Sequence, residues 1–140
     1  MTIFKFPESI KSRPTYGKLE YREGKSYLFI ADADGAEAII DLANDNKSLM
    51  AKSHIIYIPN QSGDKYISKL DKLDIYQLYI GSSYSAAQSR IIQAFEQSHM
   101  GLQVYLAGTE GLIGQALRDA MAAGIPHTFI QSEHRGSVAR

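Results

Sequence analysis

The sequence predicts an α/β protein: a doubly wound, three-layer α/β/α domain built on a five-stranded parallel sheet. Three observations predict it. Short β-rich apolar runs alternate with stretches of helical period, in the order β-α-β-α-β-α-β-α-β. The first run, residues 27–30 (YLFI), is apolar at every position, as a strand buried on both faces is. The connections are short, and right-handed crossovers then leave a parallel sheet with helices on both sides.

Residues 1–25 carry little periodicity and read as an N-terminal arm over one sheet edge, with Tyr16 and Leu19 as its pins. Pro14 pushes Arg13 towards extended backbone. The first strand, 27–30, turns at 31–35 (ADADG) into a helix from about Ala36, with Ile39, Ile40 and Ala43 inward and fraying at 44–46. Residues 54–58 (HIIYI) form the second strand, which Pro59 stops. Tyr66, Ile67, Leu70 and Leu73 have helical spacing and predict a short helix within 65–73. Residues 74–80 read as the third strand, and Ser85 as the cap of a helix to about Ser98 that buries Ile91, Ile92 and Phe95.

Residues 104–133 are the most legible stretch. Strand 104–106 meets a turn at 107–111 (AGTEG), where Thr109 is placed to cap the next helix. That helix sets Leu112, Ile113, Ala116, Leu117, Ala120 and Met121 on one apolar face. Gly124 is its left-handed stop, Pro126 follows, and 128–130 returns as the fifth strand.

Bulk properties exclude several classes of function. At 140 residues the chain is one domain, large enough to bury a core. Lys plus Arg and Asp plus Glu number 15 each, so no electrostatic footprint points to nucleic acid or an anionic membrane. The chain has no cysteine, which excludes disulfides, thiolate metal sites and a cysteine nucleophile within it. No apolar run is long enough to span a bilayer and no signal-peptide core is present, so a soluble cytoplasmic domain is expected. The four histidines, His54, His99, His127 and His134, form no metal-ligand spacing.

Ligands of such sheets sit beyond the carboxyl ends of the strands. The candidate residues are therefore Ala31, Asp32 and Gly35 after the first strand, Gly81, Ser82 and Ser83 after the third, and Gly108, Thr109, Glu110 and Gly111 after the fourth. The fourth turn carries free N–H groups at a helix N-terminus; it is equally an anion site or ordinary core construction. The first loop is a poor phosphate cradle, because it has one glycine and two carboxylates. Asp34 as a helix cap with Asp32 in solvent is the preferred reading there, ahead of a bound cation. Ser82 and Ser83 suit a phosphate or ribose, or serve as turn and cap residues. Arg90 either reaches such a phosphate or lies on the solvent face. His134 and Arg135 lie near the ligand end of the sheet or lead the chain out of the domain.

The order of these pieces resembles the pyridine-nucleotide domain of ferredoxin reductase-type flavoproteins, whose strand order is 3-2-1-4-5. Residues 105–112 (YLAGTEGL), 124–126 (GIP) and 130–133 carry the resemblance, with 28–31 before the first loop. Ala107 stands where that family has a cysteine near the reacting flavin and nicotinamide. About 25 residues precede the first strand, too few for that family's flavin barrel. Two further segments, 11–17 (KSRPTYG) and 132–137 (SEHRGS), resemble DmmA-type subunits of bacterial dimethylamine monooxygenases. The resemblance implies a nucleotide-binding domain over 26–134, a tail or linker from 135 to 140, and a cysteine-rich, zinc-ribbon-like region beyond it. It implies an accessory or electron-transfer component of an NAD(P)H-dependent monooxygenase that demethylates dimethylamine oxidatively. Its partners would be a haem-bearing oxygenase and a flavin and iron–sulfur reductase. NAD(P)H or FMN would lie across the strand tips, or the fold would persist as a non-catalytic docking module.

Overall fold

The computed structural model describes residues 18–97 and 101–135. The arm motif at 11–17 with its Tyr16 pin, the expected helix end at 98–100 and the tail at 136–140 lie outside the described residues. The elements are β1 (Ser26–Asp32), α1 (Ala36–Asp45), β2 (Ser53–Ile58), α2 (Ile67–Asp71), β3 (Gln77–Ile80), α3 (Tyr84–Glu96), β4 (Leu102–Gly108), α4 (Glu110–Ala122) and β5 (Ile130–His134). All strand pairs are parallel, and the sheet order is β3-β2-β1-β4-β5. The predicted doubly wound sheet of order 3-2-1-4-5 is therefore the observed one.

The central strands are apolar on both faces because both faces are covered. Tyr27, Phe29 and Ala31 of β1 pack with α1 and α2. Leu28 and Ile30 pack with α3 and α4. Phe29, Ile30, Ile55, Ile56, Tyr57 and Val104 have no measurable exposure, which puts the centre of the fold in β1, β2 and β4. Burying such side chains is worth about 1.5–3 kcal/mol each. On the α1 face, residues 18–25 also lie over β4 and β5. Leu19 is buried there, and its N–H donates to Glu133. The Tyr105 hydroxyl accepts from Arg22 N–H and donates to Glu20 carbonyl, with its ring stacked 4.8 Å from Phe29.

Local chemistry sets the ends of α4. Thr109 Oγ1 accepts from Leu112 N–H, as its position predicts. Gly124 adopts φ +88° after the last turn, while Ile125 N–H returns to Ala120 carbonyl and Gly124 N–H to Met121 carbonyl. This is a Schellman stop, open to glycine because a Cβ disfavours that φ.

Four boundaries differ from expectation. The third strand begins at Gln77 rather than Asp74, because Asp74 sits at φ +55° and the chain is still turning. The fifth begins at Ile130, because Phe129 N–H bonds back to Pro126 carbonyl and turns 127–129 into a short 3-10 segment. Ser83, not Ser85, caps α3 by accepting from Ala86 N–H. Met121 is half exposed, so the apolar face of α4 ends at Ala120.

His54, near the start of β2, faces α3, on the same side of the sheet as Ile56 and Ile58. Its Nε2 is buried and has no hydrogen-bond partner among the described residues. Burial, and then the nearby Arg90 charge, push its pKa below 6.5. The unfolded chain therefore binds the proton more readily. Stability from this group is complete above pH 6.5 and is lost as pH falls below it. Urea unfolding from about pH 7.5 to 5.5 is expected to show a steeper stability loss in the wild type than in His54→Leu. Equal slopes for the two proteins would contradict this assignment.

Candidate functional site

The carboxyl ends of the strands gather Asp32 at the end of β1 with Ala33, Asp34 and Gly35 after it, Asn60 after β2, and Gly108 at the end of β4 with Thr109 after it. Asp32 is the hinge of the group. Its Oδ1 accepts from Thr109 N–H at 2.8 Å, and its Oδ2 accepts from Thr109 Oγ1 at 2.8 Å and Asn60 Nδ2 at 3.0 Å. Only 5% of Asp32 is exposed, so it is not the solvated residue the sequence favours. A carboxylate at the buried end of a strand has no water to turn to, and Thr109 at the start of α4 supplies donors instead.

The backbone is shaped around that contact. Gly108 has φ +133°, and a Cβ there would fall 2.0 Å from Asp32 Oδ1. A Cβ on Gly35 would fall 2.3 Å from Ala107 carbonyl, so the turn after β1 presses directly on β4. Ala33 occupies φ +47°, an uncommon conformation for a residue with a Cβ. The Tyr57 hydroxyl holds that turn by donating to Ala33 carbonyl at 2.7 Å. Burial pushes the Tyr57 phenol up to about 12, so it remains a donor throughout the neutral range.

Asp34 does not cap α1, and no side chain does. Asp34 Oδ1 and Glu37 Oε2 instead lie 3.0 and 2.7 Å from the Tyr66 hydroxyl, whose pKa burial raises first and these carboxylates second. Arg135, just past β5, donates to Glu133, Glu37 and Asp41 at 2.6, 3.1 and 3.3 Å, and its N–H donates to Gly108 carbonyl. It lies at the ligand end of the sheet, committed to three carboxylates.

The remaining candidates separate. Ala31 and Ala107 are buried in the layer facing α1, so the Ala107 methyl packs inside the domain. Gly81 is buried, Ser83 is used as a cap, and Ser82 is exposed at the tip of the edge strand. Glu110 lies exposed in the first turn of α4. Arg90 stacks 4.2 Å over the Tyr79 ring on the outer side of α3, away from the Asp32 group. A cleft of about 240 Å3 remains beside Asp32, walled by Ile58, Asn60, Tyr84, Gly111, Leu112 and Gln115. Asn60 and Tyr84 stand in the strand-tip loops that the sequence reading places at the ligand end, but their contacts and Arg135's three partners escaped it, since all but the Arg135–Glu133 pair form between residues distant in the chain.

These residues do not fit a dinucleotide. The backbone N–H of Thr109 already serves an internal carboxylate, and Asp34 just before α1 and Glu37 in its first turn stand where a cradle needs free donors. The 240 Å3 cleft also lies under the roughly 300 Å3 at which small-molecule sites begin.

Two substitutions probe the arrangement. Asp32→Ala strands the Thr109 N–H and is expected to cost about 2–4 kcal/mol in urea unfolding. Gly108→Ala must move Asp32 and strain its own φ, and a loss of about 2–4 kcal/mol is expected, read by the same measurement. A change under about 0.5 kcal/mol in either would mean the contact is not structural.

Solved structures share this fold. Phthalate dioxygenase reductase, described as modular for electron transfer from pyridine nucleotides to 2Fe–2S, matches with a TM-score of 0.66 and 16% identity, over 91% of this chain and 40% of that one. The ferredoxin reductase of carbazole 1,9a-dioxygenase matches with a TM-score of 0.57 and 15% identity, over 79% and 35%. The FAD/NAD-binding domain of nitric oxide dioxygenase from Vibrio cholerae O1 biovar El Tor matches with 0.54 and 17%, over 89% and 56%. The chain thus spans 35–56% of the length of these proteins, and identities this low establish the fold alone. No curated protein matches. The family model for the dimethylamine monooxygenase subunit DmmA-like, N-terminal domain, matches residues 8–130, and the chain belongs to that family.

Proposed function

We propose that the chain is an accessory component of a multi-component, NAD(P)H-dependent dimethylamine monooxygenase, using its reductase-like domain to hold partner subunits and not to bind nucleotide. Family membership motivates the complex. The single observation that carries the accessory role is the Asp32 carboxylate on Thr109 N–H, where a nucleotide domain needs a free donor. In this reading the haem-bearing oxygenase and the flavin and iron–sulfur reductase perform the oxygen and electron chemistry. The Asp32 group at the strand tips then acts as internal bracing, keeping the α1 and α4 ends fixed for a partner. Among the described residues no helix is long and apolar enough to cross a membrane, and no cluster of three potential metal ligands occurs.

A thermal-shift titration with NADH, NADPH and FMN tests the reading. At about 5 mM each, the melting temperature is expected to move by less than about 1 °C. Co-expression with the other subunits is expected to give a stable complex containing this chain. A rise of several degrees with any nucleotide, from a chain that stays monomeric beside those subunits, would restore an electron-transfer nucleotide domain in its place.

A further inference from the structure

The opposite end of the sheet carries a second cleft, of about 340 Å3. β1 has 7 residues, so at about 3.3 Å per residue this cleft lies roughly 20 Å from the Asp32 group. Its size falls within the range of small-molecule sites, which begins near 300 Å3. The charged residues lining it are Lys25, at the entry to β1, and Lys52, at the entry to β2. Among the described residues no carboxylate lines it, and neither lysine makes an ion pair. Leu28, Ala51, Ala94 and Leu102 supply apolar wall, and Tyr76 stands at the side with 72% of its surface exposed.

His54 also lines this cleft, and its Nε2 is the buried side-chain polar atom left without a partner among the described residues. The His54 ring is thus a wall of the cleft, while its Nε2 is closed to solvent. The Lys25 and Ser26 N–H groups are both taken by Gly101 carbonyl. The cleft therefore offers two lysine point charges and an imidazole, and lacks the array of backbone donors and the arginine fork that suit a phosphate.

We infer that this cleft binds a small organic carboxylate with an apolar body, its charge between Lys25 and Lys52 and its body against Leu28, Ala94, Leu102 and the His54 ring. The inference is independent of the accessory role proposed above. A ligand here would make no demand on the strand tips.

The probes are benzoate, its neutral analogue benzamide, and inorganic phosphate, each titrated to about 20 mM against the isotope-labelled full chain. Benzoate is expected to shift the His54 ring nitrogens and the Ser26, Lys52 and Leu102 amides along one saturable curve. Lys25→Gln/Lys52→Gln lies on exposed positions, and its amide spectrum is expected to stay otherwise native. Benzoate affinity is expected to fall about tenfold in that variant, as for loss of a charge-assisted hydrogen bond. Benzamide binding as well as benzoate, phosphate binding as well as benzoate, or an undiminished affinity in the double variant would each overturn the assignment. Unsaturable shifts scattered over the surface would overturn it too.

Discussion

The bond network of one buried carboxylate organises the ligand end of this domain. Asp32 ends β1, and its two oxygens reach Thr109 at the start of α4 and Asn60 after β2. Gly108 and Gly35 have no Cβ where the chains press together, and Tyr57 braces the turn between them. The same contact that stabilises the tips takes up one of their backbone donors. A helix N-terminus attracts anions because its N–H groups are free, and here one of them is satisfied from within. The fold is ferredoxin reductase-like, and at its crevice an internal carboxylate joins the ends of β1 and β4.

Charge is distributed unevenly over a chain whose formal total is zero. Asp32, Asp34, Glu37 and Glu133 lie at the carboxyl ends of the strands, with Arg135 bridging two of these and Asp41. Lys25, Lys52 and His54 line the cleft at the amino ends. Opposed ends of this kind offer different surfaces to anions and cations, although composition reports only their sum. Residues 18–25 complete the asymmetry by lying over β4 and β5, where they hold Tyr105 and Glu133.

Much of the fold was legible because its signals are local. Continuous apolar strands, the Thr109 cap and the Gly124–Pro126 stop each express a preference of a few adjacent residues, and tertiary packing agreed with them. Where packing overruled local preference, the boundaries moved: β-prone Thr128 and Phe129 became a turn, and Asp74 to Tyr76 stayed outside β3. The acids of the first loop were readable as hostile to a phosphate. Their actual roles were not, because Asp32 and Thr109 are 77 residues apart and Asp34 meets a tyrosine 32 residues away.

By itself, then, the sequence determined the alternation of elements and the family resemblance that the match over residues 8–130 bears out, and the strand order came with that resemblance. The alternation follows from periodicity and the resemblance from short motifs, both carried by neighbouring residues. Only the tertiary structure decided that Asp32 is buried on Thr109, that Arg135 is clamped by three carboxylates, and that His54 faces a basic cleft without a partner. The physical reason is the parallel sheet itself. It stacks strand tips from distant parts of the chain side by side, so each tip's chemistry is settled by neighbours that the sequence does not place next to it.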